Sequence, residues 1–236
     1  MDVDYEVVAS INDAIRITGF SLPSNIDSFP SDVKAYIYLR FISAAINKLR
    51  GDYGTGVFTA EKQYCYPLLD ADMNVGASFP YWNGGLTRFW CGARIAVLSV
   101  GAARYCRSQF REYWEQLTIP NNTPMSEPSN IGELLPDIQA YIRLRIAAHG
   151  LNGSTGGGMY FPAFWIDISS NTDMNSIMNY HPEQFETMIR NISCKFFEVV
   201  TEEKSLINIG LNSEAKAAAA ASANELLWKK LIGIVV

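Results

Sequence analysis

Histidine is scarce: a chain of 236 residues holds two, His149 and His181. Neither is framed by recognisable chemistry. There is no G-x-S-x-G nucleophile elbow, no H-E-x-x-H pair and no distinctive pair of carboxylates, so the chain is read as not an enzyme. Cysteine is nearly as rare. Cys65, Cys91, Cys106 and Cys194 lie 26, 15 and 88 residues apart with no C-x-x-C pair, which argues against a zinc cluster and leaves reduced, buried thiols as the expectation. No metal and no cofactor is expected. A membrane helix needs about 18 consecutive apolar residues. The best stretch, around Ile95–Val100, is flanked by Arg94 and Arg104, so no membrane partner is expected. The first six residues, Met1-Asp2-Val3-Asp4-Tyr5-Glu6, are acidic where a secretory leader is basic and then apolar; a soluble, cytosolic chain is expected, and the N-x-S/T triplets at Asn121, Asn152 and Asn191 are then chance matches. The glycine-rich segment from Gly150 to Gly158 has no P-loop lysine and no preceding strand, so it reads as a flexible loop and not as a phosphate cradle.

What is present is a globular composition. Hydrophobic residues make up 48% and charged residues 18% of the chain, enough apolar surface to offset the entropy of ordering. Ser31, placed as an N-cap, opens a helix whose apolar residues Val33, Ile37, Phe41 and Ala44 recur every three or four positions until Gly51. Between residues 51 and 85, glycine, proline and aromatics predict an irregular or short-stranded connection. A central helix is expected from Ala93 to Leu117, and another from Pro136 to His149. His181-Pro182 opens a further one with Phe185, Met188, Ile189, Ile192 and Phe196 on one stripe. Asn212-Ser213-Glu214 caps an alanine-rich last helix that ends in Trp228, Leu231 and Ile232. No internal repeat is evident. The pattern predicts a mostly α fold: a single helical core domain over 31–211, an N-terminal arm over 1–30, and a C-terminal helix or arm over 212–236, both arms extended.

Charge is unevenly placed. Net charge is −5, which by itself discourages a nucleic-acid binder. From Met73 to Arg111, however, the chain carries Arg88, Arg94, Arg104, Arg107 and Arg111 and no aspartate or glutamate, a strip of +5 in a chain that is otherwise −10. Arginine's planar fork matches phosphate oxygens and stacks on rings, and Trp82, Phe89, Trp90 and Tyr105 lie among these arginines. A basic strip interleaved with aromatics suits single-stranded nucleic acid. The alternative is that the arginines pair with the acidic N-terminal segment inside a protein–protein interaction module without RNA binding. Arg143 and Arg145 are two residues apart, so on a helix they point about 200° apart and only one faces a given groove.

The segment RYCRSQFREYW, from Arg104 to Trp114, is similar to the R-x-x-x-S-Q-F-x-x-W-Y stretch of potyvirus coat proteins. Asn121-Asn122-Thr123-Pro124 resembles the N-G-T-S-P turn that follows it there. AYIRLR from Ala140 to Arg145 looks like the family's A-Y-I-E-x-R helix. Phe196-Phe197-Glu198-Val199 and Glu214-Ala215-Lys216, with the alanines that follow, look like its F-Y-E-V and E-A-H pair. The matches run in the family's order over about half the chain, and Ala93-Arg94-Ile95-Ala96 is similar to a stretch of the related potexvirus coats.

The resemblance implies a coat protein of a flexible filamentous plant RNA virus, found in the virion and the host cytoplasm. Its partners would be single-stranded RNA, bound through backbone phosphates, and further copies of itself in a helical homo-oligomer joined through the arms. The family's RNA pocket uses a serine of the N-G-T-S-P turn, an arginine and an aspartate. Thr123 fits the first. Pro128-Ser129-Asn130-Ile131 stands where the family has P-T-L-R, and Lys195 stands in place of the aspartate. The implied RNA contacts are Arg94, Arg104, Arg107, Ser108, Thr123, Arg143, Arg190 and Lys195.

Overall fold

The computed structural model describes residues 4–49, 64–67, 75–78, 81–83, 86–89, 93–97, 99–153, 157–167, 194–201 and 206–232. Among these lie the helices α1 (Ile11–Thr18), α2 (Ser31–Leu49), α3 (Val100–Gln109), α4 (Arg111–Thr118), α5 (Pro136–Asn152), α6 (Glu214–Ala223) and α7 (Glu225–Ile232). The strands are β1 (Tyr64–Pro67), β2 (Val75–Ser78), β3 (Tyr81–Asn83), β4 (Leu86–Phe89), β5 (Tyr160–Asp167) and β6 (Cys194–Thr201). The described residues are mostly helical, as the apolar periodicity predicts.

α2 is apolar nearly all round, the composition of a helix that lies inside a protein. Val33, Ala35, Tyr36, Ile37, Leu39, Phe41, Ile42 and Ile46 are all buried, and α1, α4 and α5 pack around them. α5 carries α7 on its other flank. α6 lies on β5 and β6 of the antiparallel sheet β3-β4-β5-β6 and so ties that sheet to the helical core. β1 and β2 form a separate antiparallel hairpin against α3.

The reading from sequence is corrected in several places. The expected helix from Ala93 to Leu117 is broken. Residues Ala93–Ile95 form a 3-10 turn, Ser99 caps α3 by accepting from the Ala102 amide, and Phe110 leaves helical geometry between α3 and α4. The reason lies in α2: the Ser43 hydroxyl donates to the Ile95 carbonyl at 2.7 Å and the Asn47 amide to that of Ala96 at 3.0 Å, holding carbonyls that a continuous helix would need. The stripe ending at Phe196 does not continue as helix, because Cys194–Thr201 is a strand paired along β5; residues 181–193 lie outside the described residues.

Neither terminal segment is extended within the described residues. Residues 5–7 form a 3-10 turn and α1 is capped by Ser10, whose hydroxyl oxygen accepts from the Asp13 amide, and is stopped by Gly19 at φ +77°. Val8 and Ala14 are fully buried against the core. At the other end Ala217, Ala221, Trp228 and Leu231 are buried in that core. The glycine segment is also partly structural: Gly158 donates to the Ile207 carbonyl, and a β-carbon at Gly158 would fall on the backbone of Leu211.

An internal repeat is present after all. DVKAYIYLR (32–40) and DIQAYIRLR (137–145) are identical at six of nine positions. The two copies face one another on α2 and α5. Asp32 meets Arg145 at 2.6 Å and Arg40 meets Asp137 at 2.7 Å, both pairs buried, while Tyr36 stacks on Tyr141 between them, with centroids 4.1 Å apart and planes 4° from parallel. First residue meets last in both directions, so the helices run antiparallel about a local pseudo-two-fold axis through the tyrosine stack. Each aspartate sits in the first turn of its helix, where the dipole also favours a negative charge.

Candidate nucleic-acid interface

α3 is built from VGAARYCRSQ, whose small and apolar members face inward: Ala102, Ala103 and Cys106 are buried, and burial pushes the Cys106 thiol up to about 12. That inward stripe also takes Arg107, 5% exposed. The opposite face is open. Arg104 and Ser108, four residues apart, are both exposed, and Arg111 continues the line at the start of α4, in an ion pair with Glu115 at 2.6 Å. The Ser108 hydroxyl donates to the Tyr105 carbonyl at 3.0 Å. Arg104 forms no ion pair among the described residues. Arg94 is half-buried in the 3-10 turn before α3, and Arg88 lies on β4 opposite Tyr81.

The remaining expected contacts belong elsewhere. Thr123 is exposed on the loop between α4 and α5; its amide donates to the Asn121 side chain, and its carbonyl accepts from Arg145 at 3.1 Å. Arg143 forms a two-pronged hydrogen bond to Glu127, at 3.1 and 2.9 Å, which holds the Glu127 carboxyl below its usual range and raises the Arg143 guanidinium. Lys195 pairs in register with Trp165 on the sheet, and Arg190 lies outside the described residues. Of the eight residues, the structure therefore brings Arg104 and Ser108 onto one open face; no hydrogen bond or ion pair among the described residues links that face to Thr123 or Arg143.

Sequence reasoning missed the residues that shape the loop. Arg145, 1% exposed, donates to Asp32 and to the carbonyls of Asn121 and Thr123, and the Asn121 side chain donates to Asp32 at 2.8 Å. Asn208 clamps the same loop, accepting from the Asn121 amide at 2.7 Å and donating to the Ile119 carbonyl at 3.0 Å. Of Arg143 and Arg145, the second is the buried one. The signal that would have found it is the repeat: the AYIxxR pattern matched to the coat family at 140–145 stands at 35–40 as well.

No family model, curated protein or solved structure matches this chain. Among the described residues no cluster of three His, Cys, Asp or Glu side chains is placed to hold a metal ion. No described helix is long and apolar enough to cross a membrane.

Proposed function

We propose that this chain is a structural protein that binds single-stranded RNA through its phosphate backbone and assembles with copies of itself into a helical filament, as the coat of a flexible filamentous RNA virus. The observation that carries the reading is the acid-free strip from Met73 to Arg111, from which α3 presents an exposed Arg104 without a carboxylate partner among the described residues and an exposed Ser108 beside it. An exposed guanidinium on a helix face binds phosphate oxygens without reading bases, and a neighbouring hydroxyl adds to it where a phosphate oxygen replaces the carbonyl that Ser108 now donates to. A modest local charge suffices for a coat subunit. Each copy holds few nucleotides, contacts among many copies drive assembly, and a large net positive charge would make neighbours repel. Heterologous contacts that do not close produce an open helix.

The test is binding of a labelled oligouridylate at low salt by fluorescence anisotropy. Binding that weakens steeply with salt is expected, and Arg104→Glu combined with Arg111→Glu is expected to lower affinity about tenfold or more. Absence of binding, or an affinity unmoved by both reversals, overturns the RNA reading. The second reading, an interaction module without RNA, draws on the N-terminal residues packing on their own core. Truncation does not separate the two, since Val8 and Ala14 are buried and their loss destabilises the monomer either way. Negative-stain microscopy does: flexible rods support the coat, discrete particles the module.

A further inference from the structure

The N-terminal segment lies along α3 beside the open face. Gly101, Tyr105 and Gln109 recur every four residues and form one stripe of that helix. Residues 5–9 of the same chain lie along this stripe, in which Tyr105 is half-buried while Gly101 and Gln109 remain exposed. The Tyr5 ring packs on that of Tyr105 with centroids 5.6 Å apart, and its hydroxyl stands where a β-carbon at residue 101 would be 2.8 Å away, so the absence of a side chain at Gly101 makes room for it. The Tyr105 hydroxyl lies within donating distance of the carbonyls of Glu6 and Val8, 3.1 and 3.2 Å, and the Gln109 amide donates to that of Ala9 at 2.9 Å. The neighbouring stripe, one residue round the helix, is the exposed Arg104 and Ser108.

Each of these contacts is of the kind a nucleotide makes. A ring lies on Tyr105, a half-buried aromatic of the strip, acceptor oxygens take up the donors beside it, and acids stand near. The Tyr105 phenol is held above its usual range first by burial, and after it by the electrostatics of Cys106, Glu6, Asp13 and Asp4. We infer that residues 4–9 act as an intramolecular mimic of single-stranded nucleic acid, occupying the Tyr105–Gln109 stripe of α3 and leaving it when a strand binds. This rests on the RNA reading above. It adds that the binding face is wider than the open arginines, that it includes a stacking ring and an amide, and that the free chain is self-occluded. The contacts on the stripe are backbone carbonyls and one tilted ring pair at the molecular surface, and release of residues 4–9 also draws Val8 out of the core, so the segment leaves only where strand binding outweighs that burial.

Tyr5→Ala in the full chain changes no charge. If the segment competes, this variant binds a labelled oligouridylate about tenfold more tightly than the parent, because the apparent affinity is reduced by the fraction of chains that are open. Adding Asp4→Asn and Glu6→Gln tightens binding further, whereas the charge-matched control Glu133→Gln with Glu214→Gln, two exposed acids away from α3, does not. In the parent chain the oligonucleotide accelerates amide hydrogen exchange over residues 5–9. Equal affinity of parent and Tyr5→Ala chains that both bind, with unchanged exchange over residues 5–9, overturns the mimicry and leaves RNA binding standing. If no form binds, RNA binding falls and the mimicry with it.

Discussion

Arg40 and Asp137 are each more than nine-tenths buried, and Arg40 has the Phe20 ring 5.9 Å away as its only other described polar or aromatic support. Taking the carboxylate away leaves a guanidinium more than nine-tenths buried without its ion-pair partner. Asp137→Asn is therefore expected to cost about 3–5 kcal/mol in urea denaturation. Replacing both partners by leucine strands nothing and is expected to recover most of that loss, a non-additivity that a double-mutant cycle measures. A single-variant loss under about 1 kcal/mol would place the pair in the solvent-screened class. Which arginines are of this kind was not legible from charge. Arg104 and Arg107 stand three apart in one basic strip, yet one is exposed and the other buried, because Ala103 and Cys106 turn the second inward. Composition reports how many guanidinium groups there are; their helix phase decides which meet solvent.

Elements were legible where a local signal and the tertiary contacts agree. α2 and α5 satisfy both, having apolar periodicity and an acid in the first turn, and they stand within a few residues of where the sequence puts them. The 93–117 segment fails because carbonyls that the local pattern assigns to a helix are taken by Ser43 and Asn47, about 50 positions away. β6 was missed because CKFFEVVT carries no alternation of apolar and polar residues, and a short continuous apolar run fits a helix or a buried strand equally. The glycines near 157–158 read as flexibility by composition, whereas a β-carbon at Gly210 would fall on the Gly158 carbonyl oxygen, the mark of two backbones in contact. Gly210→Ala is expected to cost about 3 kcal/mol, since backbone must move to admit the methyl. Thermal unfolding checks it, and an unchanged midpoint would mean that the 157–158 and 207–211 segments are not in contact in solution.

For the molecule as a whole, the buried groups set a pH limit on the alkaline side. Burial raises the Cys106 thiol to about 12 and holds the Tyr141 hydroxyl well above its ordinary value. A raised value in the folded state means that the unfolded chain gives up its proton first, so this part of the stability is complete below the ordinary values and is lost as pH rises through the folded ones. The urea midpoint is expected to fall between pH 9.0 and about 12, and Cys106→Ala to remove part of the fall. A midpoint constant across that window would mean that these groups are hydrated. The proposed binding face stays less legible than the fold at this scale too. The strip is contiguous in sequence, but α3 shares its outer surface with the chain's own N-terminal residues, a neighbourhood that no reading of 73–111 alone contains.

The nonapeptide pair on α2 and α5 bears on assembly in one more way. Two segments with nearly the same sequence that bind each other head to tail form an adhesive that recognises itself, and a face of that kind left on the surface would glue any copy to any other, in pairs. Here both halves are closed upon one another inside a single chain, with Asp32 and Arg145 at 0% and 1% exposure. Self-recognition through this pair is saturated before a second molecule arrives, so the filament proposed above would be joined by other surfaces than the nonapeptide face.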